Sequence, residues 1–275
     1  MADIYTQILD VFGATATIIP AGDPRQENAA KTTFTTKPGA SGLAATFTYS
    51  KASSLFVPST QFTKNQHRIP ILGMNGVDQQ WDTPDDAYWT RGNGIADSPF
   101  SVGMFVDSKD NTDYQHLMGK FGASGAVREW LVQITDTGIL DFRLYDPSVD
   151  ITITRKSDAA VPQYKPTFLA ATYDGTGGAT AMNGVALYVD GVAIASTATN
   201  NASYVAMEDT TSVVTVGSRS DEVATSFITG RVWGGPLGAF FVQTALSAEI
   251  LRQINVRYQS YIRGGFTDYR RLLRR

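Results

Sequence analysis

The chain contains no cysteine. Disulfide staples, thiolate nucleophiles and cysteine-ligated zinc are therefore excluded as sources of stability or chemistry. Histidine is almost as scarce, with His67 and His116 the only two. A Ser-His-Asp triad or a histidine metal site would need one of them, and neither a G-x-S-x-G elbow nor an H-E-x-x-H helix accompanies them. Both read as ordinary strand or loop residues. Charge is sparse too, at 18% of residues with a net charge of −3, so no global field draws the chain to nucleic acid or an anionic membrane. No window holds the run of about 18 apolar residues that a membrane helix requires. The opening segment "MADIYTQILDVFGATATIIPAG" has Asp3 where a secretory signal would carry Lys or Arg, and Asp10 interrupts its apolar run. It reads as no signal peptide, and the expectation is a soluble protein made in a cytoplasm.

What the chain does have is 43% apolar residues over 275 positions. That suffices for one large all-β domain with an extension, or for two small domains. Its exposed-looking segments are rich in Thr, Ser, Ala and Gly, giving a neutral, hydroxyl-rich surface. Residues 1–70 scatter apolar positions among Thr, Ala, Gly and Pro, and short alternations such as Ala45-Thr46-Phe47-Thr48-Tyr49 suit strands. This region reads either as an extended arm that packs on something else or as extra strands of the main domain.

From Ile71 the strand and turn signals become regular. "FSVGMFV", "REWLVQI" and "ILDFRLY" are followed by "TFLAATY", "VALYVDG", "SVVTVGS" and "PLGAFFVQ". Asp136-Thr137-Gly138 supplies a hairpin turn, its glycine taking the positive φ. Many short strands with turns between them and no helical period indicate a sandwich or barrel. One helix is expected near the end. Ser247 is placed to cap it, Glu249 stands in its first turn, and Ile250, Leu251, Ile254, Tyr258 and Tyr261 form one apolar face before Gly264-Gly265. Residues 263–275 form a basic tail with Arg263, Arg270, Arg271, Arg274 and Arg275.

An ordered series of short motifs carries a family resemblance. It runs Tyr173-Asp174-Gly175, Tyr188-Val189-Asp190-Gly191, Val216-Gly217, Phe227-Ile228-Thr229-Gly230 and Ala245–Ile250, preceded by Gly76-Val77-Asp78 with Trp81 and Pro84. Residues 71–262 thereby resemble the laminin-G-like, concanavalin A-like lectin/glucanase jelly-roll domains. The resemblance implies an all-β, two-sheet antiparallel jelly-roll sandwich with an N-terminal arm or small β extension and a C-terminal helix plus tail. Asp190-Gly191 reads as a two-residue hairpin turn, and Gly175–Asn183 as a loop insertion at the sandwich edge.

That fold hosts glycanases, lectins and passive spacers, so function must come from sites. Glycanase members place two carboxylates close together on one strand, about 5 Å apart for retaining hydrolysis. The five glutamates here are Glu27, Glu129, Glu208, Glu222 and Glu249, and none sits in a Glu-x-Asp-x-Glu arrangement. Glu129 and Asp136 lie across a hairpin at best, so no enzyme is expected and no cofactor is required. Asp107, Asp110 and Asp113 in "DSKDNTD" are candidate calcium ligands, although Lys109 dilutes the charge and a solvated turn is the plainer reading. Tyr88 and Trp89 in "DDAYWTRGNG" are candidate surface aromatics for stacking on sugar rings, while Trp130 and Trp233 read as core. Burial of Tyr88 and Trp89 against the N-terminal region explains that pair equally well. The arginine tail is a candidate anchor on a protein partner and too localised for a nucleic-acid domain.

These features favour a non-enzymatic structural or interaction protein of a large assembly. A bacteriophage virion component, whether capsid decoration or tail-associated protein, fits best. Its expected partners are other subunits of the assembly, as homo-oligomer or as capsid or tail proteins. The alternative is a carbohydrate-binding adhesion module whose partners are cell-surface glycans.

Overall fold

The computed structural model describes residues 4–20, 33–49, 71–75, 80–108, 113–122, 124–218, 229–233 and 238–259. In chain order, helix α1 spans Ile4–Phe12 and is followed by strands β1 Ala16–Ile19, β2 Thr33–Thr35, β3 Lys37–Pro38, β4 Thr46–Tyr49 and β5 Ile71–Asn75. The middle of the chain gives β6 Trp81–Thr83, β7 Phe100–Ser108, β8 Gln115–Phe121, β9 Arg128–Ile134, β10 Ile139–Asp146 and β11 Ile151–Ala160. The remainder gives β12 Thr167–Tyr173, β13 Val185–Val189, β14 Val192–Ala193, β15 Ser196–Thr199, β16 Val214–Val216, β17 Thr229–Trp233 and β18 Ala239–Val242. A second helix, α2, covers residues 248–259.

Two antiparallel sheets face one another. The first runs β14-β13-β12-β7-β18-β1-β3, with β17 also paired to β7 and β5 to β17. The second runs β15-β11-β10-β9-β8-β16-β6-β4-β2. Phe100, Val102, Met104, Leu169, Ala171 and Phe241 of the first sheet meet Trp130, Val132, Phe142, Leu144 and Val216 of the second in one buried core. The expected two-sheet sandwich is thus observed.

The hairpins form for the reasons the sequence indicates. Gly138 takes φ 79° after Thr135 and Asp136, and β9 pairs with β10 in register Leu140↔Ile134. Asp190 and Gly191 both take positive φ, 53° and 78°, and join β13 to β14 with Val189 opposite Val192. Positive φ at both central residues gives a turn whose twist matches that of the flanking strands. The insertion Gly175–Asn183 departs from expectation. It is no plain edge loop, because Gly178–Gly184 winds into a 3₁₀ segment that seats Ala181 and Met182 fully in the core.

The centre of the first sheet is buried on both faces. Every residue of β7 and of β12 is buried, which explains why those strands read as nearly continuous apolar runs. The outer face is covered by both helices. Ile8 and Phe12 of α1 join Phe105, Phe168, Tyr188, Phe240 and the Leu251, Ile254 and Tyr258 face of α2 in a second cluster. The Ser247 hydroxyl accepts the Ile250 N–H at 3.3 Å, the N-cap expected from sequence. Gly103 makes this packing feasible, since a Cβ there would lie 2.6 Å from the Phe240 ring.

Part of residues 1–70 is continuous with the sandwich. Strand β1 inserts between β18 and β3, with Ile18 opposite Phe240, and β4 pairs with β6 and β2 at the far edge of the second sheet. The described strands of this region therefore correspond to extra strands of the main domain. The ring of Phe240 lies 4.6 Å from that of Phe12 and is 1% exposed. Phe240→Ala should cost about 3–5 kcal/mol. Urea unfolding checks this: the midpoint should fall with the slope unchanged, and an unmoved midpoint would show that the helices contribute little.

Candidate functional site

Among the described residues, one end of the sandwich gathers most of the irregular chain. Strands β8, β10, β12 and β15 end there and β7, β9, β11, β13 and β16 begin there, so residues 84–99, 122–127, 147–150, 174–184 and 200–213 converge on one rim. The last of these has no helix or strand, yet Tyr204, Ala206, Met207, Thr210 and Ser212 in it are buried. A buried irregular backbone needs partners for its N–H and C=O groups.

Three acidic side chains supply them. Asp146 Oδ2 accepts the Val205 N–H at 3.0 Å, Asp97 Oδ1 accepts the Met207 N–H at 2.8 Å and Glu129 Oε1 accepts the Thr210 N–H at 2.8 Å. Carbonyls of the same segment are taken up as well. Val205 O accepts Gly178 N–H and Met207 O accepts Gly94 N–H, both at 2.8 Å, while Thr210 O accepts from Lys120 Nζ at 2.7 Å. Hydrogen bonds to a charged group are about twice as strong as neutral ones.

Lys120 and Glu129 are both fully buried, 2.6 Å apart. The ammonium also meets Asp85 at 2.7 Å and donates to Thr90 Oγ1 at 2.6 Å, and Asp209 lies 3.5 Å away. Burial alone would lower the Lys120 pKa, but Glu129 and Asp85 outweigh it and hold it above that of an ordinary lysine. Burial pushes the Glu129 carboxyl up to about 7, against the pull of Lys120 and the Thr210 donors. Glu129 Oε2 is buried without a hydrogen-bond partner.

A second buried knot centres on Asp97. Its Oδ2 accepts the hydroxyls of Tyr173 at 2.7 Å and Tyr204 at 2.9 Å. Burial raises the Asp97 pKa in spite of these donors, with the Asp146 charge adding to the effect. Both tyrosines are raised as well, by burial and then by the Asp97 charge. The Tyr173 oxygen accepts the Gly177 N–H at 2.7 Å, so one carboxylate ties three stretches of the rim together.

A glutamate near 7 has the acidity that a general acid requires. Geometry assigns Glu129 a different role. The Asp85 carboxylate is bridged to it by the Lys120 ammonium. What the rim exposes is acidic and partly apolar: Asp85, Asp86 and Asp209 together with Ile95 at 81% and Val205 at 46% exposure.

The residues singled out from sequence fall elsewhere. Trp89 is fully buried, its ring against Phe241 and Phe47, so the expectation of a surface platform is corrected. The turn closed by Trp89 N–H to Asp86 O folds its indole into the core. Tyr88 is half-buried, with its hydroxyl donating to Thr15 O at 2.6 Å, and it links the N-terminal strands to the domain. Asp107 is buried at the end of β7 and Asp113 is exposed just before β8. Asp110 and Arg263, Arg270, Arg271, Arg274 and Arg275 lie outside the described residues. Among the described residues no three His, Asp or Glu side chains are grouped to hold a metal ion. Sequence analysis singles out neither Lys120 nor Asp97 nor Asp146, and weighs Glu129 only with Asp136; no local spacing marks the four as a group.

Because Glu129 is more readily protonated folded than unfolded, its contribution favours the folded state at acid pH. That contribution declines as pH rises from about 4.5 to 7. Unfolding free energies of the native chain and of Glu129→Gln, measured across that window, should diverge to the disadvantage of the native chain by up to about 3 kcal/mol. A pH-independent difference would refute the shifted acidity.

Residues 75–237 match the model of the concanavalin A-like lectin/glucanases superfamily. The chain belongs to that superfamily. Among solved structures it is similar to the Ruminococcus gnavus IT-sialidase CBM40 bound to alpha2,3 sialyllactose, with 16% identity, TM-score 0.42, and coverage of 59% of this chain and 84% of that one. Domain 4 of AbnA, a GH43 extracellular arabinanase from Geobacillus stearothermophilus in complex with arabinotriose, shows 12% identity, TM-score 0.41, and coverage of 67% and 76%. A botulinum neurotoxin type C structure, in work on cell entry through two ganglioside molecules, shows 12% identity, TM-score 0.48, and coverage of 84% and 50%. None of the curated proteins is a significant match to the chain.

Proposed function

We propose that this lectin-like chain is a non-enzymatic structural and interaction module, a subunit of a large assembly such as a bacteriophage virion. In that setting it would serve as a capsid decoration or tail-associated protein. The observation that carries the non-enzymatic part is the use of the rim carboxylates. Glu129, Asp97 and Asp146 each hold backbone N–H groups of residues 200–213, and Glu129 also neutralises a buried ammonium. The engaged oxygens hold loop backbone in place, and Glu129 Oε2, which has no partner, is buried away from any substrate in solution.

The assembly part is supported by where the described ends of the chain lie. Helices α1 and α2 share one apolar cluster on the outer face of the first sheet. Residues 260–275 follow directly on α2 and carry Arg263, Arg270, Arg271, Arg274 and Arg275. Five guanidiniums beside an otherwise acidic chain suit an acidic protein surface, where they form bidentate pairs with carboxylates. The sandwich would be fixed through that tail while its loop rim stays available.

The test is the solution mass of the full chain beside that of residues 1–259, which keep every described strand and both helices. Light scattering should show assembly of the full chain, to a homo-oligomer or onto partner subunits supplied with it, and a folded monomer for the shortened one. Two monomers, neither binding a partner subunit, would overturn the assembly role.

A further inference from the structure

The fold brings Lys120, Glu129 and Asp85 to one point from three separate elements. Thr83, Val214 and Lys120 stand opposite one another across β6, β16 and β8, and Asp85 follows Thr83 by two residues on the segment that leaves β6. On the other side of β8, Lys120 pairs with Trp130 and Phe121 with Arg128, so Glu129 is an extra residue on β9. Such a bulge re-aims a side chain, and Glu129 Oε1 comes 2.6 Å from Lys120 Nζ. Asp85 Oδ1 lies 2.7 Å from the same nitrogen.

This contact differs from a surface ion pair. The Lys120 and Glu129 side chains are wholly inaccessible, while that of Asp85 is 34% exposed. With Asp209 at 3.5 Å, three carboxylates stand around one buried cation, so negative charge is left uncompensated beside it. Glu129 Oε2 is buried without a hydrogen-bond partner, and a carboxylate so poorly solvated readily takes up a proton.

We infer that Lys120 and Asp85 join in an isopeptide bond, formed once in each folded chain with Glu129 as general base. Glu129 Oε1 takes a proton from the Lys120 ammonium, and the freed amine attacks Asp85 Cγ. The C–N bond forms, one Asp85 oxygen leaves as water with the two protons that the nitrogen loses, and Glu129 is restored. One positive and one negative charge disappear, and no oxidant or further reactant is needed. The reactants are side chains of the chain itself, so the burial that keeps Glu129 from substrates in solution is no obstacle. Glu129 and Asp85 hold the proton on Lys120, which makes the step slow. A reaction that occurs once per molecule tolerates that, and fixed proximity supplies a large effective concentration.

The bond ties the start of the rim segment 84–99 to β8 across β16. A chain without cysteine thereby gains a covalent staple that is indifferent to redox conditions. The inference goes beyond the assembly role and does not depend on it.

The test is the intact mass of the full chain after prolonged incubation in the folded state, followed by tryptic mapping. The native chain should be lighter than its sequence by one water. Residues 69–91 and 110–128 should be recovered as one branched peptide, uncut after Lys120. Asp85→Ala and Glu129→Gln, each checked for folding by circular dichroism, should show the full sequence mass, whereas Asp209→Ala should keep the deficit. A native chain at full sequence mass would overturn the inference whatever the variants do. So would a deficit mapped to Asp174-Gly175 or Asp190-Gly191, where an aspartate can cyclise on its own backbone. Neither result bears on the assembly role.

Discussion

The capture of backbone N–H groups by buried carboxylates is the constraint on which the rim depends. Residues 200–213 must cross from β15 to β16 at the end of the sandwich, and they do so without a ladder of their own. Left unpaired, each buried N–H would cost about 1–3 kcal/mol. Asp146, Asp97 and Glu129 meet three of them from three different parts of the fold. The arrangement introduces its own cost, the desolvation of three carboxylates, and the structure answers it locally. Lys120 compensates Glu129, two tyrosine hydroxyls compensate Asp97, and the Ser148 N–H and hydroxyl compensate Asp146.

This constraint also bears on function. Glu129, whose carboxyl burial pushes up to about 7, stands beside an acidic partner across a lysine. The Lys120 ammonium ties the two carboxylates together. The result is a sandwich that is stiff at its rim and sealed by helices on one outer face. Stiff loops on a closed scaffold suit recognition, in which the surface should be ordered before the partner arrives.

Much of the scaffold was legible in the residues. Asp136-Thr137-Gly138 and Asp190-Gly191 marked hairpins through turn chemistry, and Ser247 marked the start of α2 through its cap. Such signals are local, so one chain segment suffices to read them. The rim was not legible for the opposite reason. Asp146, Asp97 and Glu129 lie 59, 110 and 81 residues from the N–H groups they accept. The Lys120–Glu129 contact further depends on a register shift between Lys120 and Phe121. Trp89 misled because a polar, turn-rich stretch ordinarily faces water, whereas this one folds its indole over the core.

Amide hydrogen exchange at Val205, Met207 and Thr210 tests the account most directly. These three amides lie outside any helix or strand, so an ordinary loop would exchange them quickly. The account predicts protection comparable to that of amides in β9 and β10, lost selectively at Met207 in Asp97→Ala and at Thr210 in Glu129→Ala. Rapid exchange of all three in the native chain would contradict it.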